Sequence, residues 1–269
     1  MARNLITVFL SLHMCFQLPT LKALVQEEEW DYLVLAQFWP SSSCVYFKES
    51  DCVPPQVHNW TIHGLWPSDR ATSKQPENCN KSMNFNYDEI KPLRPDLDLY
   101  WPYFNKSSKD RTSLWAHEWD KHGTCAYSLP TLRGEFVYFT QVLKLYHQQD
   151  LIGALAKANI VPSDSKQYNI NDIFNAVNSI YGTSPVISCV TDTKEHYLAE
   201  IWLCFEKNLT RADCEESAQY HVASDQHRAE RRPYLKFRSE KEQVVTKGKK
   251  FVDCPSDLVW YKPITTIYL

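Results

Sequence analysis

Two short segments concentrate the side chains able to do chemistry. The first is Trp60-Thr61-Ile62-His63-Gly64-Leu65-Trp66-Pro67. The second is Leu114-Trp115-Ala116-His117-Glu118-Trp119-Asp120-Lys121-His122-Gly123-Thr124-Cys125. Read as an α-helix at about 100° per residue, the second places His117, Lys121, Glu118 and His122 at about 0°, 40°, 100° and 140°, on one face. Trp115 and Trp119 fall beside that face and would anchor it in the core, and Gly123 would stop the helix. Read as a strand, the first puts His63 on one face with Thr61 and Leu65, and Gly64 admits another group close to the backbone. Three imidazoles, a carboxylate and an ammonium suit phosphodiester transfer. A base takes a proton from a ribose 2′-hydroxyl, an acid protonates the leaving 5′-oxygen, and cationic groups stabilise the crowded phosphorane. Zinc hydrolysis is the weaker alternative. The His-Glu-x-x-His pattern needs histidines at i and i+4, whereas here they are at i and i+5 with Lys121 at i+4.

The elements that must hold these groups are mixed. Tyr32 to Phe38 reads as a strand entering Trp39-Pro40, and a second strand lies around Trp60-Thr61-Ile62 within Pro54 to Pro67. Residues 69–113 read as loops with short helices. Leu132 to His147 carries helical periodicity, and so does Ile170 to Tyr181, with Asn171 as cap and Gly182 as stop. Tyr197 to Phe205 and Lys249 to Val259 read as strands. Without a regular βαβ rhythm, the expectation is an α+β fold: a central antiparallel sheet packed by several helices, in one disulfide-stapled domain.

The 269 residues, 43% of them apolar, suffice for a core, and a net charge of −3 argues against a surface that clamps nucleic acid everywhere. One stretch runs the other way. Residues 228–250 hold nine Lys/Arg against three Glu, either a solvated surface, an extension of an RNA track, or a contact for glycosaminoglycan or membrane phosphates. Arg3 followed by the largely apolar Leu5 to Leu18 reads as a secretory leader, taken as residues 1–24. No stretch is long enough to span a membrane. Cys15 falls in the leader, leaving an even eight: Cys44, Cys52, Cys79, Cys125, Cys189, Cys204, Cys214 and Cys254. That count implies four disulfides, with Cys44–Cys52 and Cys204–Cys214 spaced as local staples, and no CxxC pair suggests metal. Sequons begin at Asn59, Asn80, Asn105 and Asn208 and agree with export.

At its two chemical segments the chain resembles the ribonuclease T2 family. Trp60 to Pro67 matches the first family block and His117 to Cys125, HEWDKHGTC, the second. The looser resemblance runs from about Trp30 to Trp260 and takes in Gln37-x-Trp39-Pro40 and Glu200-Ile201 before Cys204. The resemblance implies an α+β catalytic domain, here residues 25–269, acting on single-stranded RNA and not DNA, without a metal or other cofactor, through 2′,3′-cyclic phosphates. It implies that His63 protonates the leaving oxygen, that His122 is the base, that His117 holds the phosphate, and that Glu118 and Lys121 stabilise the transition state. Trp66 would be the platform of one base site and Gln37 part of the other. The implied disulfides are Cys44–Cys52, Cys79–Cys125, Cys189–Cys254 and Cys204–Cys214. Many relatives carry an acidic residue where this chain has Ser68, so base preference is expected to differ. The expected protein is a secreted or lysosomal monomer. The rival reading is a secreted signalling or adhesion ligand on the same fold without catalysis.

Overall fold

A computed structural model describes residues 30–49, 52–71, 75–105, 110–214, 251–252, 254 and 257–264. The leader and the basic stretch 228–250 lie outside the described residues.

The elements run β1 (Tyr32–Phe38), α1 (Pro40–Phe47), β2 (Thr61–Ser68), α2 (Tyr87–Ile90), α3 (Arg94–Tyr100) and α4 (Ser113–Glu118). A turn of π-helix, Trp119–Gly123, joins α4 to α5 (Thr124–Ala126). Then follow α6 (Glu135–His147), α7 (Leu151–Lys157), β3 (Gln167–Asn169), α8 (Ile170–Tyr181), β4 (Val186–Asp192), β5 (Glu195–Glu206), β6 (Arg211–Ala212), β7 (Phe251–Val252) and β8 (Leu258–Trp260). The strand order is β2-β1-β5-β4-β7, with β6 on β5 and β8 joining β3 to β5. Among the described residues every pairing is antiparallel except β5 with β8. This is the α+β single domain that the mixed pattern implied.

β1 is apolar at almost every position because it is flanked by β2 and β5 and covered on both faces. Leu33 and Leu35 enter the main core, with Tyr138, Phe139, Val142 and Tyr146 of α6 and Ile173, Phe174 and Val177 of α8. Tyr32, Val34 and Ala36 enter a smaller cluster on the opposite face with Trp66, Val186 and the Cys204–Cys214 disulfide. Two buried tyrosines fasten α6 to the second strand: Tyr138 donates to the Leu65 carbonyl (2.8 Å) and Tyr146 to that of Trp60 (2.6 Å). Each keeps a polar tip satisfied inside apolar surroundings. The four disulfides join Cys44–Cys52, Cys79–Cys125, Cys189–Cys254 and Cys204–Cys214.

Several boundaries differ from the sequence reading. The cap of α8 is Asn169, whose side chain accepts from the Asn171 amide, while Gly182 does close the helix with φ 70°. The expected strand over 249–259 is two short pieces, β7 and β8, that serve different neighbours. α1, α7 and β4 were not anticipated.

Glu135 opens α6 and accepts from the Asn86 amide at 3.0 and 3.2 Å. Burial pushes its carboxyl up to about 7, and the nearby Glu89 and Asp120 charges add to the rise against that hydrogen bond. Because the folded value lies above the unfolded one, the group's stabilising contribution is complete below about 4.5 and is lost as pH rises through about 7. Glu135→Gln is expected to raise stability at pH 8 by about 1–2 kcal/mol and to change little at pH 4.5. Thermal melts across that range check this; identical pH slopes for the two proteins would refute it.

Candidate active site

The site is built where β2 meets the α4–π segment, and each of these elements carries one residue more than its regular period. In β2, Ala36 of β1 faces Gly64 and Gln37 faces Ile62, which leaves His63 as the extra residue of a β-bulge. Ile62 and Leu65 both therefore enter the main core, and His63 is re-aimed to the other face. The expectation that His63 would share a face with Leu65 is corrected by this bulge, a device common beside active sites. There His63 stacks on Phe38 (ring centroids 4.0 Å apart, 21° between planes) and meets Trp66 edge-on at 4.9 Å. The Trp101 indole donates to the His63 carbonyl at 2.8 Å and fixes the bulged backbone.

In the second segment the π turn widens the helix, so Gly123 is an interior residue and not a stop. Trp115 and Trp119 are buried as anchors, their indoles donating to the carbonyls of Trp101 and Met83. Widening brings i and i+5 together: the His117 and His122 rings lie 6.3 Å apart, and ligand atoms of His117, Glu118 and His122 all fall within 4.8 Å of one another. The spacing argument against a shared ion, which assumed an α-helix, is thereby overturned. The electrostatic objection, Lys121 beside these groups, is unaffected.

Glu118 is the centre of the arrangement. It is fully buried. Its Oε2 accepts from the Trp66 indole at 2.8 Å, while Oε1 lies 3.7 Å from His63 Nε2 and 4.0 Å from His117 Nε2. That Oε1 accepts no hydrogen bond among the described residues. Burial pushes the carboxyl up, opposed by the His63 and His117 charges, the Trp66 N–H and Lys121. Gly64 makes the approach possible, since a Cβ there would overlap Glu118 Oε2 and Trp66 Nε1. Trp66 touches two of the three imidazoles, His63 at 4.9 Å and the buried His122 at 5.5 Å. Lys121 is buried, with Nζ 3.4 Å from Glu77 Oε1. The neighbouring Asn78 amide donates to the Lys121 carbonyl, and the Cys79–Cys125 disulfide clamps the same turn.

The structure thus gathers His63, His117, Glu118, His122 and Trp66, and sets Lys121 just behind them. It does not bring Gln37 to them. Gln37 lies opposite Ile62 and Ile201, both core residues, so its side chain belongs to the other face of the sheet, and the expectation that it binds substrate is corrected. The residue that β1 turns toward the site is Phe38. Ser68 is buried, with its hydroxyl donated to the Trp66 carbonyl at 3.2 Å. Of the sequons, Asn59, Asn80 and Asn208 are exposed, and Asn105 is half-buried with its amide donating to the Tyr103 hydroxyl.

One contact was not anticipated at all. His63 Nδ1 lies 2.6 Å from Glu200 Oε1 on β5. The available signal was a lone carboxylate inside the apolar run Tyr197 to Phe205.

Such a fold and such a site, two histidine-bearing blocks around a buried glutamate, define a family, and comparison with known proteins gives the same one. The profile of the Ribonuclease T2 family matches residues 30–214. The chain is 42% identical over 190 residues to Ribonuclease Oy of Magallana gigas, covering 70% of this chain and 88% of that one. It is 41% identical over 192 residues to Ribonuclease T2 of Sus scrofa, covering 70% and 90%. The crystal structure of human RNase T2 superposes with a TM-score of 0.65 at 32% identity, covering 87% of this chain and 99% of that one. The chain belongs to the ribonuclease T2 family.

Proposed function

We propose that the protein is an endoribonuclease that cleaves single-stranded RNA by transphosphorylation through 2′,3′-cyclic phosphates, using histidine acid–base catalysis. The observation that carries this reading is the pair of imidazoles, His63 and His117, converging on the buried Glu118 carboxyl, with a third, His122, beside Trp66. In the first half-reaction His122 accepts the 2′-hydroxyl proton, the 2′-oxygen bonds to phosphorus, the bond to the 5′-oxygen breaks, and His63 gives that oxygen its proton. Water reverses the roles in the second half-reaction. His117, partly exposed, holds the phosphate. Glu118 supports the crowded phosphorane best as a neutral carboxyl, which donates a hydrogen bond where a carboxylate would repel the phosphate. The upward push of burial favours that form. Lys121 supplies positive charge from behind. Trp66 lines one base site.

The reading extends to a secreted or lysosomal monomer with a leader over 1–24, a catalytic domain over 25–269, and glycans at the sequons, most readily the exposed Asn59, Asn80 and Asn208. No helix among the described residues is long and apolar enough to cross a membrane.

The test is cleavage of RNA by purified protein at acidic pH with and without EDTA, followed by analysis of product ends. Cleavage is expected to survive chelation and to yield 2′,3′-cyclic phosphate ends, and DNA, lacking the 2′-hydroxyl, is expected to stay intact. DNA hydrolysis, or loss on chelation that zinc restores, would overturn the mechanism. No cleavage at all would favour the non-catalytic ligand.

A further inference from the structure

We propose that Glu200 is the positioning residue for His63 and that Trp202 fixes the orientation of its carboxylate. The inference rests on the reading of His63 as the general acid. Glu200 is buried, yet both of its oxygens are engaged on the site side of the sheet: Oε1 is 2.6 Å from His63 Nδ1, and Oε2 accepts from the Trp202 indole at 2.9 Å. A carboxylate has no proton to give, so Nδ1 carries one and donates it. Nε2 is then the nitrogen turned toward the phosphate, on the side where Glu118 Oε1 lies 3.7 Å away. The hydrogen bond at one imidazole nitrogen thus sets what the other can do.

The strand geometry is specific to this contact. β5 carries its own bulge: Ser188 of β4 faces Glu200 while Cys189 faces Leu198, leaving Ala199 as the extra residue. Leu198 and Ile201 consequently both enter the main core, just as Ile62 and Leu65 do on β2. The β2 bulge turns His63 out of the core, and Glu200, alternating regularly with the core residues Ile201 and Leu203, stands on that same side. Phe38, directly opposite Glu200 on β1, closes the arrangement by stacking on the imidazole.

Trp202 makes the proposal testable. An amide in place of Glu200 has one oxygen for two donors, the Trp202 indole and His63 Nδ1–H. If the indole keeps the oxygen, the amide N–H is turned on His63 and opposes the imidazolium that the leaving group needs. Removing the indole donor frees the oxygen to turn back to His63.

The experiment compares a dinucleoside monophosphate with a nucleoside 3′-(4-nitrophenyl phosphate), whose phenolate departs without a proton. Glu200→Gln is expected to lower kcat on the dinucleotide on the order of 10²-fold and on the aryl ester less than about threefold. Trp202→Phe alone is expected to lose about three- to fivefold on the dinucleotide and little on the aryl ester, and Glu200→Gln/Trp202→Phe should recover about tenfold over Glu200→Gln. His63→Ala run in parallel separates the two readings. If His63→Ala cleaves the dinucleotide like wild type, the assignment of His63 falls. If it is inactive while Glu200→Gln is active, the role of Glu200 falls. Equal losses on both substrates, or a double variant worse than Glu200→Gln, would also overturn the inference. Should Glu200→Gln not fold, Glu200→Asp, which keeps the charge but withdraws it by one methylene, is expected to lose about five- to tenfold on the dinucleotide alone; no difference between substrates would refute the proposal.

Discussion

Replacing His122 by Ala is expected to lower RNA turnover by about 10²–10⁴-fold and leave the thermal midpoint within a few degrees of wild type. The imidazole is buried beside Trp66 and lies 6.3 Å from the His117 ring, so it sits among the groups proposed to act on one phosphodiester. His63→Ala should cost a similar factor on RNA. In the proposed mechanism the two histidines move the same proton inventory in opposite directions, so neither works alone. The double variant should therefore lose far less than the product of the single losses, the residue of activity coming from binding and from the groups around Glu118. Steady-state kinetics on one RNA substrate, with circular dichroism to establish folding, decides the matter. A folded His122→Ala protein that cleaves within a few-fold of wild type would end the assignment.

Gly64→Ala is expected to be as damaging, although it adds one methyl group and touches no imidazole. Its Cβ would overlap Glu118 Oε2 and Trp66 Nε1, the two atoms whose hydrogen bond ties helix to strand. Neither can retreat: Glu118 is fully buried and Trp66 is packed against His63, His122 and Trp202. Overpacking at such a site costs about 1–3 kcal/mol. The accompanying shift of the carboxyl should reduce activity by at least about 10²-fold, because positioning errors near 1 Å cost that much. Removing the obstructing group tests the cause. Gly64→Ala/Glu118→Ala should be more stable than the sum of the two single changes predicts, while remaining inactive. Additive losses would show that Gly64 matters for some other reason.

Much of the architecture could be read from periodicity. β1 and α8 fall where apolar runs and the Gly182 stop place them, and the residue types at His63, His117, Glu118 and His122 by themselves point to proton transfer. What periodicity could not supply was the aim of those side chains. Three one-residue insertions, the bulges at His63 and Ala199 and the π turn over Trp119–Gly123, each interrupt the regular spacing at the site itself. A strict period of two mis-assigned the face of His63, and a strict 3.6 period separated His117 from His122 as potential partners. Sequences break local rules where function requires an irregular backbone, so the failures cluster where they are most informative. Glu200 and Phe38 were missed for a different reason: their relation to His63 is a matter of strand register between distant segments, which no local pattern encodes. Gln37 went astray by the same route, since its neighbour and not itself faces the site.

The order of strands bears on when, during its synthesis, the protein becomes able to cut RNA. β1 is threaded between β2 and β5, and β5 is made more than a hundred residues after β1. A nascent chain that has emerged as far as Cys125 already carries every histidine, carboxyl and ammonium expected to act on phosphate. It lacks the strand that flanks β1 and covers the far side of His63. Contacts this distant in sequence close late and slowly. Competence is therefore expected only after β5 has left the ribosome, a machine built of the polymer this family degrades.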